Sequence, residues 1–144
     1  MKEWRDGLSW GIGLGVIGAV VVAFKGDWYP VIFPAAMVVA IQGAVRQLSS
    51  RPHVGGGLAG AVAGILILGV YLAVHRGTLF TGSAPAEVLR QFLIQQVILL
   101  AVVDLAGTWL MVKGKQYGEE QRRRRQEARR AERQAQRRRK KKKK

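Results

Sequence analysis

Cysteine is absent from the sequence. Its absence excludes disulfides, thiolate metal sites and a cysteine nucleophile, and leaves the compartment open. Histidine is nearly absent. His53 and His75 stand apart, each at the edge of an apolar run, with no carboxylate pair or metal-ligand spacing beside them. They read as exposed loop histidines rather than ligands. No nucleophile–base pair stands out, and no phosphate-binding glycine loop. The GIGLG that begins at Gly11 lies inside an apolar span and follows no strand, so it is packing glycine rather than a nucleotide fingerprint. These absences argue against an enzyme and call for no cofactor and no metal.

Charge is scarce in most of the chain and crowded in the rest. The mean hydropathy of +0.04 averages two unlike pieces. Residues 1–112 carry seven Lys/Arg and five Asp/Glu, a net of +2, whereas residues 113–144 carry seventeen Lys/Arg and four Glu, a net of +13. The first piece holds four apolar stretches, at 8–24, 28–45, 54–74 and 92–112. A hydrocarbon core about 30 Å thick needs roughly 20 helical residues. The third and fourth stretches reach that length directly, and Trp4, Trp10, Trp28 and Tyr29 extend the first two into the interface. The helices are apolar all round, unlike those of a soluble bundle. The first stretch follows Lys2 and Arg5 but lacks a small-x-small cleavage site, so it reads as a retained helix.

The expected fold is therefore all-α. It is a polytopic integral membrane protein with four transmembrane helices in two hairpins, residues 1–112, followed by a basic cytoplasmic tail, residues 113–144. Lys25-Gly26-Asp27 is a tight turn between the first two spans. Ser83, Pro85 and Glu87 form a helix-start signal, so the fourth helix begins near Pro85. Pro30 suits the first turn of the second helix, while Pro34 lies within it. With an even number of spans both termini share one side, that of Lys2, Arg5, Arg46, Arg51 and the tail. The positive-inside rule places that side in the cytoplasm, and the protein in the cell (inner) membrane.

Glycine is abundant, eighteen residues, and its spacing carries more information than its number. Gly11, Gly15, Ala19 and Ala23 recur every four residues, as do Gly56, Gly60 and Gly64. Small residues at this spacing let helix backbones approach closely in lipid. The partner is another helix of this chain or one of a second copy.

Asp104 is the sharpest polar feature. It lies eight residues before Val112, about 12 Å from that end of the span. A carboxylate at such depth costs roughly 2.5–3.5 kcal/mol and must face protein or water, find a partner or hold a proton. Arg46 and Gln42 lie towards the same side, and Thr108 is one turn away. Two roles follow: a contact with Gln42 or Arg46 that fixes helix packing, which we favour, or a protonatable site in an ion or proton path. Gln95 and Gln96 sit near the other end of the helix, and Gln96 with Asp104 gives it a mildly polar stripe.

Gly114 and Gly118 are expected to interrupt the helix as it leaves the apolar region. Beyond them, Glu119 and Glu120 precede Arg123 and Arg124 by four residues, a favourable order, and the composition suits a solvent-exposed helix over about 119–137. Lys140 to Lys144 are expected to be disordered. Ala128, Ala131 and Ala135 are too small for a coiled-coil seam or an embedded anchor. What remains is charge: Arg122, Arg123, Arg124, Arg125, Arg129, Arg130, Arg133, Arg137, Arg138, Arg139 and Lys140 form the candidate anionic-surface site. Anionic lipid headgroups are the default partner, and nucleic acid or the ribosome the sharper alternative.

In layout the chain resembles phage holins, which are short, have several spans, end in a charged cytoplasmic tail and oligomerise to open membrane lesions. It also resembles small accessory proteins of membrane complexes such as ATP synthase protein I. The resemblance is of layout alone and carries no residue. The leading expectation is a non-enzymatic, self-associating, holin-like or pore-forming protein. An accessory or assembly subunit with its tail on anionic lipid or nucleic acid is the alternative, and a small transporter the third. An Asp104→Asn variant separates the two roles of that residue. A packing role predicts that assembly and activity fall together, and loss of transport or lysis with assembly intact would refute it.

Overall fold

A long apolar segment has to bond its own peptide groups, and a helix does so within the segment. The computed structural model describes residues 2–48, 51–79 and 85–142, and every regular element among them is helical. Helix α1 spans Lys2–Phe24, α2 Tyr29–Gln47, α3 Pro52–Leu79 and α4 Pro85–Lys142, with a 3-10 turn at Gly26–Trp28. Each of the four contains a stretch long and apolar enough to cross a membrane. Proline stands in the first turn of α2, α3 and α4, where its missing N–H costs no intrahelical bond. Glu87 lies in the first turn of α4, and Ser83 lies outside the described residues. The chain divides into two compact units, Met1–Val112 and Lys113–Lys144.

In the first unit α3 is the element on which the others pack. Gly7, Gly11, Gly15 and Gly18 of α1 lie on Gly55, Ala59, Ala63 and Ile67 of α3. Both series climb together along the chain, so the two helices run parallel. The approach is backbone to backbone: a Cβ added to Gly7 would lie 2.8 Å from the Gly55 carbonyl oxygen, and one on Gly11 2.8 Å from that of Ala59. The adjacent face of α3, about 100° round the helix, carries Gly56, Gly60 and Gly64. Each of these meets one residue of α2 and one of α4: Val45 and Thr108, Ile41 and Asp104, Met37 and Leu100. Those partners descend as the glycines ascend, so α2 and α4 both run antiparallel to α3. Helices α1, α2 and α3 approach closely along their backbones, whereas α4 docks mainly through side chains. The expected pairing into two hairpins is thus only part of the picture, because the tightest contact joins α1 to α3.

The core of this unit falls into separate clusters, one of which, Ile41, Val45 and Val112 with Met111, joins α2 to α4. Near the start of α1 the core is built from Ala40, Ala44, Leu48, Ala59 and Ala63, with Trp10 and Leu14 against them. Trp10 lies flat over Gly43, where a Cβ would come 2.5 Å from the ring, and its Nε1 donates to Gln47 Oε1 at 2.9 Å. At the other end Val22, Tyr29, Phe33, Met37 and Ile67 fill the interior, with Tyr71 and Phe92 packed on them.

Both histidines correct the loop assignment. They belong to α3, which runs past its apolar stretch at each end; His53 is exposed and His75 half-buried. At His75 the helix makes a contact that the apolar pattern does not encode. Its Nε2 lies 3.0 Å from the carbonyl oxygen of Val22, in the last turn of α1, where carbonyls lack intrahelical partners. Its ring packs on Tyr71 and fills the space over Gly26, where a Cβ would sit 2.7 Å away.

In the second unit the helical backbone includes Gly114 and Gly118, so neither glycine interrupts it. Each costs a helix about 1 kcal/mol, too little to stop propagation between strong helix formers. Lys140 to Lys142 are helical rather than disordered, and the last two lysines lie outside the described residues. Arg124 donates to Glu120 at 2.6 Å and Gln121 to Tyr117 at 3.1 Å, both one turn apart.

The α1–α3 contact yields a paired test. Gly11→Ala should lower stability in detergent by about 1–3 kcal/mol, since a carbonyl of the facing backbone cannot move aside. Gly13→Ala, where nothing lies within 4 Å, should be neutral or slightly stabilising. Equal effects in thermal unfolding would refute the contact.

Candidate functional site

The deepest polar side chains of the first unit gather where α4 meets α3. Asp104 faces Gly57 and Gly60: its Oδ2 would lie 3.6 Å from a Cβ on Gly57, and its Oδ1 occupies the place of a Cβ on Gly60. One turn on, Thr108 faces Gly56, with its Oγ1 3.4 Å from the position of a Cβ there. Thr108 is buried, and both its Oγ1 and Asp104 Oδ1 are shielded without a hydrogen-bond partner. An unsatisfied buried oxygen costs roughly 1–3 kcal/mol. The carboxylate fits only because α3 has no side chain at residue 60.

The other polar candidates are placed differently. Gln42 is half-buried on α2 and Arg46 exposed at its end, and neither bonds Asp104. Gln95 is exposed, whereas Gln96 is half-buried and accepts a 2.9 Å hydrogen bond from Tyr29 Oη. Tyr29 is itself buried and stacks on Tyr71 with ring centroids 4.1 Å apart and planes 15° from parallel. Phe92 lies beside both rings, at 6.3 and 6.1 Å. The stripe joining Gln96 to Asp104 and Thr108 therefore faces other helices. Between Val97 and Leu110, every exposed residue of α4 is aliphatic or tryptophan.

Of the packing candidates, Gly11, Gly15 and Ala19 lie on the buried side of α1, and Gly56, Gly60 and Gly64 at the junctions with α2 and α4. The tail arginines from Arg122 to Arg130 are exposed on helix. For Arg133, Arg137, Arg138, Arg139 and Lys140 the backbone alone is described, and it is helical.

Sequence reasoning missed Gly7, Gly43 and the Tyr29–Tyr71–His75 cluster. Gly7 was detectable, standing four residues before Gly11 in the same series. The aromatic residues were masked by their position, since tyrosine and tryptophan at span ends also mark a lipid interface. Chemically the site offers a carboxylate and a hydroxyl against glycine backbone. No nucleophile–base pair accompanies them, and among the described residues no group of three His, Asp or Glu could hold a metal. The chain shows no match to a protein-family model, a curated protein or a solved structure.

The fit of Asp104 to Gly60 can be measured by a double-mutant cycle. Gly60→Ala should destabilise the protein by about 1–3 kcal/mol by expelling the carboxylate. Adding Asp104→Ala should recover part of that loss, leaving the contact of the new Cβ with Ile41. Strict additivity of the two substitutions would show that they do not touch.

Proposed function

We propose that this protein is a non-enzymatic, multi-pass membrane anchor. It acts as an accessory or assembly subunit, with both termini in the cytoplasm, and carries a polybasic helix to an anionic surface. Four helices long and apolar enough to cross a bilayer support the anchoring half of this reading. The concentration of basic residues beyond Val112 supports the other half, because positive charge that stays in the cytoplasm also fixes the orientation.

The observation that carries the choice is where the small and polar residues point. Self-association of holin type draws on small-residue faces, and a pore draws on a polar stripe. Here Gly11 and Gly15 are covered by α3, and Gly56, Gly60 and Gly64 by α2 and α4. Asp104, Thr108 and Gln96 turn towards neighbouring helices, leaving an apolar outer face on α4, aliphatic but for Trp109, that suits lipid or a larger apolar partner. These surfaces are used within one chain. The holin-like reading therefore stands second to the accessory one, and the transporter reading third.

Controlled expression in bacteria separates them. The anchor should stay in the membrane fraction after alkaline carbonate washing, leave the membrane potential intact and co-purify with a larger complex. Abrupt loss of potential at a reproducible time would overturn the accessory reading in favour of a lesion-forming one.

A further inference from the structure

The helix beyond Val112 distributes its charge unevenly. At about 100° per residue, an arc about 140° wide contains Arg122, Arg129, Arg130, Arg133, Arg137 and Lys140 by helical register. The remaining positions of that arc between 122 and 142 are Arg or Lys, apart from Gln126 and Gln136, and none is acidic. Both acids of this stretch, Glu127 and Glu132, fall outside the arc, as do Ala128, Ala131 and Ala135. From Arg122 to Lys140 the stripe is about 27 Å long. Every residue from Gln116 to Glu132 is exposed. Outside the arc, Arg124 is already paired with Glu120.

We propose that this acid-free arginine stripe binds the phosphate backbone of duplex DNA, with the helix lying in the major groove. The inference rests on the anchor reading above and names the anionic partner. Three observations select it. First, the helix is unbranched and about 10–12 Å across, which the major groove of B-form DNA admits and the deep, narrow groove of duplex RNA does not. Second, the basic surface is broad: from Arg125, just outside the arc, to Arg123 at its far edge it spans about 160° of the helix before either acid is met. A groove has phosphates on both walls, whereas a flat lipid surface meets one face. Third, beyond Tyr117 the chain has no aromatic residue on which bases of a single strand would stack, and no large apolar residue to embed in a bilayer. Arginine, which prevails over lysine within residues 122–139, grips phosphate oxygens two at a time. Binding by phosphate contacts is independent of base sequence.

The test uses the full chain purified in a neutral detergent, with a duplex of roughly 20 base pairs, long enough to hold the stripe. Two variants remove three charges each: Arg122→Gln, Arg129→Gln and Arg133→Gln within the stripe, and Arg124→Gln, Arg138→Gln and Lys142→Gln outside it. The stripe variant should weaken DNA binding tenfold or more and flatten the slope of log affinity against log salt by about 2–3. The outer variant should change both by less than half as much. Equal losses, tighter binding to duplex RNA than to DNA, or binding only to vesicles containing anionic phospholipid would each overturn the proposal. Retention in carbonate-washed membranes is read in parallel. A protein that washes off refutes the anchor reading, while one that stays but ignores DNA refutes the stripe alone.

Discussion

The first unit depends on one close approach, the contact of two helix backbones along α1 and α3. A Cβ at Gly7 or Gly11 would meet a carbonyl oxygen of α3 at 2.8 Å. No side-chain rearrangement relieves such an encounter, so the residue type there is fixed by geometry. With α1 seated on one face, the adjacent face of α3 receives α2 and α4, and three glycines at four-residue spacing admit both at once. In a bilayer, where apolar surface gains little by leaving lipid, contact area and dispersion at such junctions take over the part that hydrophobic burial plays in water.

The polar chemistry follows from the same constraint. Asp104 does not find the charged or amide partner that its depth demands; it finds room. The absence of a side chain at residue 60 makes that room, so a glycine that serves packing elsewhere also accommodates a carboxylate here. At the other end large rings fill the interior, and the hydroxyl of Tyr29 meets the amide of Gln96. The unit is thus held by alanines together with Ile41, Val45 and Val112 at one end and by aromatic stacking at the other.

Much of this was legible beforehand. Runs of apolar residues of the right length located all four helices, and Pro85 with Glu87 located the start of the last. The four-residue spacing of glycines marked both packing faces of the bundle, though spacing alone does not name the partner, and α1 proved to pair with Ala59 and Ala63 rather than with Gly56 and Gly60. Helix ends were harder to read. His75 lies where hydropathy falls away, and there the helix gains a contact with a residue 53 positions distant in sequence. Gly114 and Gly118 misled for the opposite reason, because local propensity is a weak force against a helix already propagating on both sides.

The parallel pairing of α1 with α3 bears on the order of assembly. A nascent chain that has delivered only its first two helices holds an α1 whose glycine face is uncovered, because the surface that closes it has yet to emerge. The same interval leaves the end of α1 without the imidazole that reaches the carbonyl of Val22. Closure of the glycine face of α1 thus waits on a helix two elements further along the chain, the same helix whose other glycines meet α2 and α4.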